Sequence, residues 1–138
     1  MSFTYPPANL PFQRLRDVRG ALLQLHKALL DSERDMYERF HGRIRSKGEF
    51  FQLVVQDEWF SWLRPFSQFI VQIDEALSAK EPITLHQANE LLDEARSLVS
   101  PDEAGTNREQ RYYQAIQRDP NIALMHADVS RLLSRSRR

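Results

Sequence analysis

The 138-residue chain has no net charge, no cysteine, 41% hydrophobic and 28% charged residues, a composition that fits one globular domain able to bury a core without staples. Lack of cysteine excludes disulfides, zinc–thiolate sites, iron–sulfur clusters and thiol nucleophiles. No basic stretch followed by an apolar one opens the chain, and its apolar runs stop short of the roughly 18–20 residues of a membrane span; neither secretion nor membrane contact is expected, and a cytoplasmic location follows.

Residues 1–12, with Pro6, Pro7 and Pro11, read as an extended arm whose Phe3, Tyr5, Leu10 and Phe12 dock it to the body. From Gln13 to His41 there is no proline, and Leu15, Val18, Leu22, Leu25, Leu29, Met36 and Phe40 recur at three and four. Ser32 takes the one polar slot in that stripe, which predicts a single continuous helix about 40 Å long, ended by Gly42. After the basic link RIRSKG, residues 49–55 read as helical and Asp57 as an N-cap. Pro65 forbids a straight helix and predicts a break near Leu63–Arg64, with Phe66, Phe69, Ile70, Ile73 and Leu77 inward beyond it.

Thr84 and Gln87 have capping-box spacing and open a helix to about Val99, with Leu85, Ala88, Leu91, Leu92, Ala95, Leu98 and Val99 inward. Thr106 and Glu109 repeat that spacing for a shorter helix through Gln117. Asp119-Pro120 reads as N-cap plus first helical residue, opening a last helix through about Leu133. The expected fold is all-α: an antiparallel bundle of four to five helices over residues 13–134, with a long N-terminal helix, a kinked aromatic-rich second helix and a frayed basic tail at 135–138.

The phrases LHKALLDSERDMYERFHGRI, GEFFQLVVQDEWFSWLRPFSQFIVQIDEAL and YYQAIQRDPNIALMHADVSRLL resemble a family of small all-helical bacterial proteins with no known activity. The resemblance covers residues 22–133 and implies a bacterial source and one self-contained domain. It transfers no site residues and no function.

Both tryptophans and five of the eight phenylalanines fall within residues 50–77, which marks that segment as the buried centre. Residues 1–47 carry nine Lys/Arg against five Asp/Glu, residues 48–104 three against eleven, and residues 105–138 seven against three. That layout reads as basic ends neutralising an acidic middle, within the bundle or between subunits. Sixteen of the nineteen cations are Arg, which suits paired carboxylates better than loose solubilisation.

Glu38 and His41 have the one-turn spacing of a di-iron carboxylate ligand pair. There is no second such pair, although Glu33 and Asp74 could supply carboxylates, so neither a metal nor another cofactor is expected. His41 fits a helix C-terminus instead. Asp74, within an apolar run, needs a partner, either Arg64 or an arginine of the first helix. Trp59, Trp62, Arg64 and Asp74 are the ligand-pocket candidates, with Arg64 able to stack on an indole. Trp62, aligned with Phe66 and Phe69, is expected to be the more buried tryptophan. RIRSK and RLLSRSRR, the only basic clusters, lack interleaved aromatics, so no nucleic-acid binding is expected.

No catalytic residue is assigned. A non-enzymatic interaction module that self-associates, or docks a protein partner, is the favoured expectation. The alternative is a small-ligand- or metal-binding bundle, with enzymatic activity included in that reading, its site near Asp57–Pro65 and Asp74.

Overall fold

The computed structural model, which describes residues 9–134, is all-helical and contains no strand among them. Six α-helices follow one another: α1 (Asn9–His41), α2 (Lys47–Gln56), α3 (Arg64–Ser78), α4 (Leu85–Leu98), α5 (Asn107–Arg118) and α6 (Pro120–Ser134). A 3-10 helix, Glu58–Leu63, joins α2 to α3. Helix α1 is the spine, and α3, α4, α6 and the 3-10 helix all pack on it. α5 leans on α6 and the 3-10 helix, while α2 packs chiefly on the 3-10 helix.

At 33 residues, α1 spans about 50 Å. It begins at Asn9, so residues 9–12 of the expected arm are helical; Pro11 sits in the first turn, where a missing N–H costs nothing. The rest of the arm and the basic tail lie outside the described residues. The helix stops where Gly42 adopts a φ of 89° and returns its N–H to the Glu38 carbonyl at 3.0 Å. That left-handed conformation is one a side chain resists.

The aromatic segment is divided three ways rather than kinked once. Ser46 caps α2 by accepting from the Glu49 N–H, and Asp57 caps the 3-10 helix by accepting from Trp59 N–H at 2.8 Å. Pro65 then stands in the first turn of α3. Both predicted capping boxes are formed, Thr84 with Gln87 and Thr106 with Glu109. Gly105 is a packing requirement of the second, because a Cβ there would run into the Glu109 carboxylate and Asp102. Asp119 accepts from the Asn121 N–H at 2.9 Å, and α6 starts at Pro120 as its sequence demands.

Leu15, Val18, Leu22, Leu25 and Leu29 of α1 are fully buried against Phe60, Leu63, Phe66, Ile73, Leu92, Tyr112 and Ile122. The apolar stripe of α1 weakens beyond Leu29. Met36 is half-buried and Phe40 is 69% exposed, since only the 3-10 helix region covers that end. Leu85, expected inward, is exposed in the first turn of α4, and Leu77 is half-buried in the last turn of α3. In both cases the stripe outruns the neighbours that could cover it.

Candidate functional site

Where the α1 stripe turns polar, Ser32 and Glu33 are both buried, Glu33 to 1% exposure. A lone carboxylate could not persist there; it must be paired and hydrogen-bonded. α5 supplies two guanidiniums, from residues seven apart and therefore on one helix face. Arg111 Nη2 donates to Glu33 Oε1 at 2.7 Å and Arg118 Nη2 donates to Oε2 at 2.8 Å. Arg118 also donates to Ser32 Oγ from Nε and Nη2, at 3.2 and 2.9 Å. Both carboxylate oxygens are thus engaged by guanidinium donors.

Arg111 continues the cluster into the aromatic segment. Its guanidinium lies 5.3 Å from the Trp59 ring centroid and 5.7 Å from that of Trp62, within range of cation–π attraction. The arginine that stacks on the indoles is therefore Arg111 and not Arg64. Arg64 donates instead to the carbonyls of Val54 and Asp57, at 3.3 and 3.0 Å, closing the end of α2. The two indole Nε1 donors are buried without an acceptor.

Trp62 is 3% exposed and Trp59 half-buried, in the order expected from the face shared with Phe66. Trp62 meets Phe66 edge-on at 6.1 Å, and Trp59 is ringed by Tyr37, Phe40 and His41 at 5.6–5.8 Å. Asp74, ten residues beyond Arg64 and so about 15 Å along α3, pairs with Arg19 of α1 at 2.6 Å. This bond, and then the carboxylate charge, raise the Arg19 pKa. Of the four pocket candidates, the structure unites Trp59 and Trp62; Arg64 and Asp74 serve separate contacts.

Glu38 accepts from the Ile44 N–H at 2.7 Å and faces Arg34 at 3.9 Å, so it ties the link to α1. His41 lies exposed in the last residue of α1 and stacks on Tyr37 at 4.5 Å. No group of three or more His, Asp or Glu side chains converges as a metal site among the described residues. The pairing of basic ends with the acidic middle is realised once among these residues, by Arg19 and Asp74. The two buried pairs join the C-terminal arginines to Glu33 of the N-terminal segment, where α5 reaches α1 at Ser32 and Glu33.

A second polar chain crosses the α5–α6 contact. Tyr112 is fully buried and shares a hydrogen bond of 2.7 Å with His126 Nδ1, while His126 Nε2 faces Ser130 Oγ at 3.4 Å. The geometry suits a neutral imidazole accepting at Nδ1. Burial lowers the His126 pKa, lowers that of His26 and raises that of Tyr112. A histidine whose folded pKa lies below the unfolded 6.5 contributes stability that is present above that value and lost as pH falls through it. The urea midpoint is therefore expected to drop between pH 7.5 and 5.5. The drop should shrink in the His26→Gln, His126→Gln double variant; an equal drop in that variant would remove these histidines as its source.

Apolar side chains are exposed singly at Leu124, Val71 and Leu23, and in a group on α2 and at the end of α1. α2 has no buried residue. Phe50 meets Phe60 edge-on at 5.7 Å and carries Arg34 at 4.9 Å over its ring, so that side of α2 faces inward. Phe51 and Val55, one turn apart on another side, are 66% and 47% exposed. Exposed Phe40 touches Trp59 of the 3-10 helix on which α2 packs.

In sum the fold and its buried polar cluster define a small all-α bundle with aromatic surface beside its 3-10 helix. Set against known proteins, the chain matches no family model, no curated protein and no solved structure. No helix among the described residues is long and apolar enough to cross a membrane.

Proposed function

We propose that this chain is a non-enzymatic interaction module that self-associates through the surface formed by α2 and the end of α1. The observation that carries this reading is the composition of α2. It is a helix with no buried residue, yet its outward positions include Phe51 and Val55, with Phe40 exposed nearby. Solvated helices do not need large apolar side chains there, and contiguous exposed apolar surface marks an interface. A second copy is the favoured occupant. The same face in both protomers makes a two-fold contact, and the basic Arg43, Arg45 and Lys47 beside it can meet the partner's acidic middle segment. Support for a non-enzymatic role comes from Glu33, Glu38 and Asp74, each already engaged by protein donors.

Sedimentation at about 10 µM is expected to report roughly twice the 16.3 kDa monomer mass. Raised salt should weaken the dimer only in part, because the apolar component persists. Phe40→Glu with Phe51→Glu should yield a monomer of unchanged helicity. A wild-type monomer at about 100 µM overturns the proposal.

A further inference from the structure

On the other side of the 3-10 helix from this face in sequence, α3, α4 and the first turn of α5 border an open groove of about 330 Å³. Its lining includes Gln68 and Gln72 from α3, Glu94 and Ser97 from α4, and Arg108 from α5, with Phe69 as an apolar wall. Among the described residues, every other arginine that is not exposed has a protein partner; Arg108 has none, and its Nε is buried without an acceptor. Nor does any of the four polar side chains facing it spend a hydrogen bond or ion pair within the protein. Glu94 and Arg108, opposite in charge and on different helices of one groove, form no ion pair with each other.

A part-buried guanidinium without an acceptor is costly, and its planar donor fork matches a carboxylate. An arriving carboxylate would supply what Arg108 lacks. A dicarboxylate would meet Glu94 with its second charge, whereas a protonated amine would be attracted there. The volume sits at the lower end of the range for small-molecule sites. We propose that the groove binds small zwitterionic amino-carboxylates, the carboxylate on Arg108 and the ammonium on Glu94. The site uses none of the apolar residues assigned to self-association, Phe40, Phe51 and Val55, so either proposal can fail without the other.

Titration of the ¹⁵N-labelled full chain with three probes tests this. L-Leucine should move the backbone amides of residues 94–98 and 107–109 with a dissociation constant of about 1 mM, the weak binding an open groove allows. 4-Methylpentanoate, lacking the amine, should bind more weakly, and L-leucinamide, lacking the carboxylate, should leave these amides unmoved. Arg108→Gln should weaken L-leucine by about tenfold or more. Glu94→Gln, a change at an exposed position that leaves the core untouched, should bring L-leucine and 4-methylpentanoate to equal affinity. Unmoved amides with L-leucine at about 10 mM overturn the proposal, as does a response to L-leucinamide equal to that for L-leucine. So does equal binding of L-leucine and 4-methylpentanoate by the wild-type chain.

Discussion

Glu33→Ala is expected to destabilise the fold by about 3–5 kcal/mol, the range for breaking a buried ion pair from one side. Most of that loss comes from what stays behind. Arg111 and Arg118 would keep their places at the α1–α5 contact with no counter-charge, and their side chains are only 26% and 28% exposed. Glu33→Gln should be nearly as costly, since an amide preserves shape but not charge. Urea denaturation at neutral pH measures the effect as a shift in midpoint at unchanged slope. A loss below about 1 kcal/mol for both variants would mean that the guanidiniums find water or other acceptors, and that the cluster does not hold α5 in place. For a domain of ordinary stability, the predicted loss is about a fifth of the total or more.

Much of the fold was legible because its punctuation is local. Gly42, Asp57, Pro65, Thr84 with Gln87, Thr106 with Glu109, and Asp119-Pro120 each act within one turn, and each does in the structure what its chemistry requires. The uninterrupted stripe of α1 was equally readable up to Leu29. Its end was not, since Phe40 is as apolar as Leu29 and only the neighbours decide which is covered. Leu85 failed for the same reason.

The buried cluster was legible in part only. Ser32 was recognisable as the polar member of the stripe, but Glu33 beside it was read only as a spare carboxylate for a metal site, not as the partner of two arginines. Its partners lie 78 and 85 residues away, a distance over which helical periodicity carries no information. A signal did exist. Arg111 and Arg118 are seven apart and bracket the inward Tyr112 and Ala115, which places two cations on the border of a core-facing stripe. Arginines there require an acceptor, and Glu33, beside Ser32 of the α1 stripe, supplies it.

Trp62→Ala is expected to cost about 3–5 kcal/mol, as large aromatic truncations in cores do. The ring is 3% exposed and lies between Phe66, which it meets edge-on, and the Arg111 guanidinium. Removing it opens a void beside Phe66 and strips Arg111 of an aromatic face while Glu33 still holds that arginine in place. Trp59→Ala should cost less, because Trp59 is half-buried and its neighbours Phe40 and His41 are already exposed. A Trp62→Ala loss under about 1 kcal/mol would contradict the aromatic core. Trp62→Phe separates packing from polarity. It loses ring area but also deletes an indole N–H that has no acceptor, whose burial itself carries a penalty of about 1–3 kcal/mol. The two terms oppose one another, so Trp62→Phe should retain most of the stability that Trp62→Ala loses. Equal losses in the two variants would overturn this balance of packing against polarity.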